Sequence, residues 1–175
     1  MHAYPNKIHL AAAIVAIASA AASMTAHAAD PQRQAEVTER GKEVMPFRLD
    51  ATTHVFTKTP DGGIQRVIAK TATDTAQVTL VRQHLQDIRL QFLKGDFSGP
   101  SHIHGRQMPG LAELERAKPG QIAIGYSDVP GGGELVYQTS DGKLVTALHR
   151  WFDAQVSDHG PDAMEGHLLH HGQAK

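Results

Sequence analysis

The sequence predicts an α+β domain in which two hairpin–helix (ββα) repeats pack together, with a short connecting helix between them. Two glycine-rich turns, at 59–63 and 129–133, are each flanked by residues that alternate between apolar and polar. Each predicted hairpin is followed by apolar residues at helical spacing. We therefore predict one ββα unit over about 51–105 and a second over about 121–167.

The first unit begins with an alternating strand over 51–58 and a returning strand over 64–69. Asp74, with Gln77 three residues later, has the pattern of a helix N-terminal capping box. Apolar residues then recur with the period of an α-helix, which predicts a helix that runs up to Lys94-Gly95.

The second unit repeats this order. Residues 122–128 and 134–138 are predicted strands, and Ser140-Asp141 is the predicted start of the helix that follows. Between the two units, Leu111 to Ala117 is predicted to form a short connecting helix.

The chain divides into four predicted segments. Residues 1–28 have the apolar stretch and small residues of a secretory signal peptide, with cleavage after Ala28 and a periplasmic destination. Residues 29–45 are a polar lead-in segment, predicted as either a loose helix or a disordered stretch, 46–166 the single α+β domain, and 167–175 a histidine-containing tail.

Composition excludes several classes of function. The formal net charge is −1, which gives no electrostatic reason to bind nucleic acid, and we expect no membrane span in the mature chain. The sequence has no cysteine, which excludes disulfides, thiolate metal sites, cysteine nucleophiles and covalently attached c-type haem. The oligomeric state is left open.

Histidine and methionine are the candidate metal ligands. In an extended segment, the side chains of His102 and His104 would point to the same side. A Gly-Pro pair precedes this segment, and a second Gly-Pro pair precedes the segment that follows the second predicted helix. We predict one shared site because both segments are rich in donor atoms, and histidine with methionine favours copper ahead of zinc. The predicted ligands are His102, His104, Met108, His159, Met164 and His167.

The leading prediction of function is a periplasmic transition-metal-binding protein that handles a metal or confers resistance to it, with another periplasmic metal-handling protein as a partner. An alternative is a small metal-dependent hydrolase or lyase, with Asp96, Asp162 or Glu165 as general base. A third is an interaction module that binds no metal. We interpret His54 and His84 as partly buried core histidines.

Over nearly its whole mature length, the chain resembles a family of small exported proteobacterial proteins of unestablished function. Members are often labelled aspartate carbamoyltransferase, but that enzyme has a far longer chain and a Ser-Thr-Arg-Thr phosphate-binding segment, which is missing here. The segments that carry the resemblance are Thr53 to Lys58, Gly95 to Pro100, His102 to His104, Met108 to Gly110, Trp151 to Gln155 and Asp158 to Gly160.

At the level of fold, two hairpin–helix units in an exported chain resemble the copper chaperone of nitrous oxide reductase assembly and the organomercurial lyases. This resemblance implies the ββα arrangement, while the lyases' cysteines have no counterpart in this sequence.

Overall fold

Five strands form one sheet in the order β3-β4-β2-β1-β5. The computed structural model describes residues 30–167, so the predicted signal peptide and residues 168–175 of the predicted tail lie outside the described residues. The strands are Thr52–Thr59 (β1), Gly62–Ala69 (β2), Ala123–Val129 (β3), Gly132–Gln138 (β4) and Ala163–Glu165 (β5).

Helices cover one face of this sheet. Two short 3-10 helices, Leu49–Ala51 and Gly160–Asp162, lie next to the sheet. The described helices are Pro31–Val44 (α1), Thr75–Phe92 (α2), Ser98–His104 (α3), Leu111–Glu115 (α4) and Gly142–His159 (α5). In the part of the chain that the structure describes, no helix combines the length and apolarity needed to cross a membrane.

The α+β class is confirmed, and both predicted hairpins form. Strand β1 pairs antiparallel with β2, and β3 with β4, while β2 and β4 join the hairpins at the centre of the sheet. The predicted caps also form, because the side chain of Asp74 accepts a hydrogen bond from the Gln77 amide and that of Asp141 from the Lys143 amide. That the two halves are copies of one unit stays a prediction.

The segment predicted as a lead-in is helical in the structure, since residues 31–44 form helix α1, and it packs on α3 and α5, which the sequence did not predict. Only Val37 and Gly41 of α1 are buried. A helix that docks through so few residues has a weak apolar stripe, so its polar composition gives little sign of the contact. Helix α1 therefore belongs to the folded part of the chain, together with the domain predicted over 46–166.

One apolar core lies between the sheet and the helices. Helix α2 packs on β2, β3 and β4, and α5 packs on β1, β2 and β5. The two helices share a face of the sheet, because Leu85 of α2 lies over Gly133 and Phe152 of α5 lies over Gly63. The largest fully buried side chains are Trp151, Tyr137, Phe56, Phe152, Leu85, Leu111, Leu114, Leu135 and Leu148.

Candidate functional site

Three histidines from three different elements meet at one end of the core. The ring of His159, the last residue of α5, stacks on that of His54 from β1 with the ring centres 4.9 Å apart. The ring of His104, the last residue of α3, meets the edge of His159 with the centres 5.0 Å apart. None of the three residues is more than 7% exposed. We call His54, His104 and His159 the histidine cluster.

Local structure places each of these side chains. His54 lies on the inward face of β1 with Thr52 and Phe56, as the alternation of a strand requires. His159 lies on the same stripe of α5 as Gln155 and Trp151, which are four and eight residues before it. The histidine cluster is therefore part of the inner surface of the domain.

The carboxylate of Asp158 orients His104. Asp158 Oδ2 lies 2.8 Å from His104 Nδ1, so this nitrogen carries the proton and donates to the carboxylate. Arg33 of α1 holds the same carboxylate with two hydrogen bonds, at 2.7 Å and 3.2 Å, and donates a third to the His104 backbone oxygen at 2.5 Å. When the ring is neutral, Nε2 of His104 is therefore the nitrogen that can bind a metal.

The charges follow from this geometry. Burial alone would raise the pKa of Asp158, but hydrogen bonds from His104 and Arg33 outweigh it and lower the pKa to about 2. Burial lowers the pKa of His54 to about 3, and burial together with the neighbouring histidines lowers the pKa of His159 well below its usual value. His54 and His159 are therefore neutral at pH 7, which is the form in which imidazole binds metals.

A cavity of about 50 Å³ adjoins the histidine cluster. Strands β1 and β2 form one side of it, and α2, α3 and α5 form the rest together with the end of α1 and the residues that follow it, Val44, Met45 and Phe47. A fourth histidine, His84 of α2, lies on its wall, and burial lowers the pKa of this side chain to about 4. The other residues on the wall that carry polar side chains are Gln65, Gln155 and Trp151.

Of the six predicted ligands, the structure brings together His104 and His159. The segment with His102 is helical rather than extended, and this part of the sequence interpretation is wrong. Two residues along an α-helix correspond to a rotation of about 200° around its axis, so the two side chains point to nearly opposite sides. His102 is consequently exposed, with its Nε2 2.8 Å from Glu43 Oε2, while His104 is buried.

The other three predicted ligands lie outside the histidine cluster. Met108 is part of the apolar core. Met164 pairs with Val55 in β5, on the opposite face of the sheet from His54, and is 53% exposed. His167 is exposed beyond the end of β5.

The predicted general bases are also placed elsewhere. Asp96 accepts a hydrogen bond from the Ser98 amide at the start of α3, and Asp162 pairs with Lys70. Glu165 is exposed and lies 4.0 Å from the Lys58 ammonium. None of the three lines the cavity.

No protein-family model matches this chain, and no curated protein and no solved structure is significantly similar to it. The histidine cluster and its cavity are therefore the observations from which function is inferred.

Sequence reasoning missed His54 and Arg33 as parts of the site, and it placed Asp158 among the oxygen donors without pairing it with His104. The position of His54 on the inward face of a strand was visible in the alternation of β1. Its meeting with residues from α3 and α5 was not, because those contacts join segments 50 or more residues apart.

Asp158→Asn is expected to lower the free energy of unfolding at pH 7 by about 2 kcal/mol, because hydrogen bonds to charged groups contribute about 1.5–3 kcal/mol each and asparagine retains only part of them. Denaturation by urea measures this change. Asp153→Asn is the matched control, since Asp153 lies on the same helix and pairs with Lys58 at the surface. We expect the control to change stability by less than about 1 kcal/mol, and an equal loss in both variants would contradict the role given to Asp158.

Proposed function

We propose that this protein binds one transition-metal ion, copper ahead of zinc, through His54, His104 and His159. The observation that carries the proposal is the histidine cluster itself, three buried imidazoles with ring centres 4.9 and 5.0 Å apart. The pattern of an export signal at 1–28 supports a periplasmic role in metal handling or resistance.

Ring spacing supports a shared ion. Metal–nitrogen bonds are about 2.0–2.1 Å long, so two imidazoles on one tetrahedral ion have ring centres about 5 Å apart. Within residues 30–167, no group of three or more histidine or carboxylate side chains is already arranged as a metal site. Binding would therefore require the rings to turn until their free nitrogens face a common point.

Unsatisfied polar groups support the same conclusion. His54 Nε2 is buried without a hydrogen-bond partner, which is costly in a protein interior unless another group uses that nitrogen. Asp158 gives His104 the carboxylate partner that metal-binding histidines usually have on their second nitrogen. Arg33 in turn holds the carboxylate in place.

The donor types favour copper. Imidazole binds copper, zinc and nickel, and the order of affinity among divalent ions favours copper. The wall of the cavity also includes Met45, whose thioether is a soft ligand that suits Cu(I). The sequence has no cysteine to favour a thiolate zinc site.

Titration of the protein with Cu(II), Cu(I) and Zn(II) tests the proposal. Trp151 is the only tryptophan of the chain and lines the cavity, so its fluorescence reports on Cu(II) binding there. A His170→Ala/His171→Ala background removes two further histidines near the C-terminus that could bind metal separately. We expect quenching that saturates at one equivalent of copper.

Variants identify the ligands. We expect His159→Ala to weaken copper binding by about 100-fold or more, and Asp158→Asn by about 10- to 100-fold. His102→Ala is the matched control, because His102 lies two residues from His104 and is exposed. Unchanged affinity in a folded His159→Ala variant would refute the site, and a loss in His102→Ala would favour the ligand set predicted from the sequence.

We also propose that the halves over 51–105 and 121–167 derive from one duplicated ββα unit. The antiparallel pairing of β2 with β4 in the middle of the sheet, with one hairpin on each side, supports a two-fold relation between them. The segments after the long helices differ, since helix α3 follows α2 and a 3-10 turn with β5 follows α5. A second half expressed alone that assembles into a symmetric dimer would support the duplication.

A further inference from the structure

Two residues that line the cavity each have a buried polar atom without a hydrogen-bond partner. These atoms are the indole Nε1 of Trp151, a residue only 1% exposed, and Nε2 of His54. An indole N–H can only donate, so its partner must be an acceptor. Native interiors rarely leave such groups unpaired, and both residues line the one cavity next to the histidine cluster.

The remaining polar groups on the wall add donors. Gln155 lies one helical turn from Trp151 and one from His159. The amide oxygen of Gln65 accepts a hydrogen bond from the Tyr137 hydroxyl at 2.8 Å, which leaves its amide N–H groups for another partner. The rest of the wall is mainly apolar, with Phe47, Val67, Leu85, Ile88, Phe92 and Pro100.

From this wall we infer that the cavity receives a small monoanion that binds the metal and accepts a hydrogen bond from Trp151. The inference rests on the proposed metal site, because no lysine or arginine lines the cavity and only a bound metal ion would supply positive charge. Anion binding is consequently metal-dependent.

The volume limits the size of the ligand. A cavity needs about 10–15 Å³ to hold one water molecule, so a cavity of about 50 Å³ has room for a few water-sized groups. Azide, formate and nitrite, each with three non-hydrogen atoms, are suitable probes. Larger carboxylates would require the apolar wall to move.

Azide titration of the copper-loaded protein tests the inference. We expect a saturable azide-to-Cu(II) charge-transfer band, and no azide binding to the metal-free protein. Trp151→Phe should weaken azide binding by about 10-fold, because a hydrogen bond to a charged ligand is lost, and leave copper affinity unchanged. Since this variant has no tryptophan, copper affinity is measured in all variants by competition with a chelator.

Phe152→Leu is the matched control, because Phe152 is the neighbouring core aromatic and does not line the cavity. An equal loss of azide affinity in this variant would overturn the role of Trp151. Copper binding without an azide band would overturn the inference, with water alone in the cavity, while the proposed metal site would stand. Absence of copper binding would overturn both.

Discussion

Acidification from pH 7 to pH 5 is expected to lower the free energy of unfolding of the metal-free protein by about 6 kcal/mol. His54 and His159 are buried as neutral rings, with a pKa of about 3 for His54 and a pKa well below the usual value for His159. In the unfolded chain both return to a pKa of about 6.5, and each then contributes about 2 kcal/mol over this interval. His84, with a pKa of about 4, adds to the effect.

The sign follows from proton binding. Between pH 6.5 and the lowered pKa values, the unfolded chain binds more protons than the folded one, so stability rises with pH. The stabilisation is fully present above pH 6.5 and is lost as the pH falls toward 3. Asp158, with a pKa lowered to about 2, contributes in the same direction only below about pH 4.

Urea denaturation at a series of pH values measures this dependence. His54→Leu removes one titrating ring and should reduce the change between pH 7 and pH 5 by about 2 kcal/mol. Phe56→Leu is the control, because it loosens the same buried face of β1 and removes no titrating group. A wild-type stability that is flat from pH 7 to pH 5 would contradict the buried neutral state of the histidines.

Gly110→Ala is expected to destabilise the protein by about 3 kcal/mol or more. Gly110 has φ +81°, and a Cβ atom placed there would lie 2.1 Å from the backbone oxygen of Ala147 in α5. The left-handed conformation costs an L-residue about 1–2 kcal/mol, and overpacking against backbone adds about 1–3 kcal/mol. The segment Met108-Pro109-Gly110 is therefore explained by packing, with Met108 in the core and Gly110 against α5.

Gly120→Ala separates these two contributions. Gly120 has nearly the same φ, +83°, but a Cβ atom there would have no neighbour within 4 Å. We expect this variant to lose only about 1–2 kcal/mol, measured by thermal or urea unfolding. Equal losses in the two variants would show that the contact with Ala147 contributes nothing.

The candidate site was only partly predictable from the sequence. His104 and His159 were predicted ligands, whereas His102, Met108, Met164 and His167 lie elsewhere in the fold. The expectation for His102 failed at one step, the conformation of 98–104. A short segment with Gly99 and Pro100 has too few residues for a helical period to be detected, and contact with α1 supports the helix.

Patterns within the sequence determined the two hairpins, the helices α2 and α5 and the caps at Asp74 and Asp141, because turn chemistry, alternation and helical periodicity act between residues a few positions apart. Only the tertiary structure decided that α1 docks on the domain and that β5 pairs with β1. It also decided that His54 meets His104 and His159. These outcomes depend on burial and pairing between segments that are distant in the sequence. The residues next to a histidine in the sequence do not show whether that histidine lies in the core or at the surface.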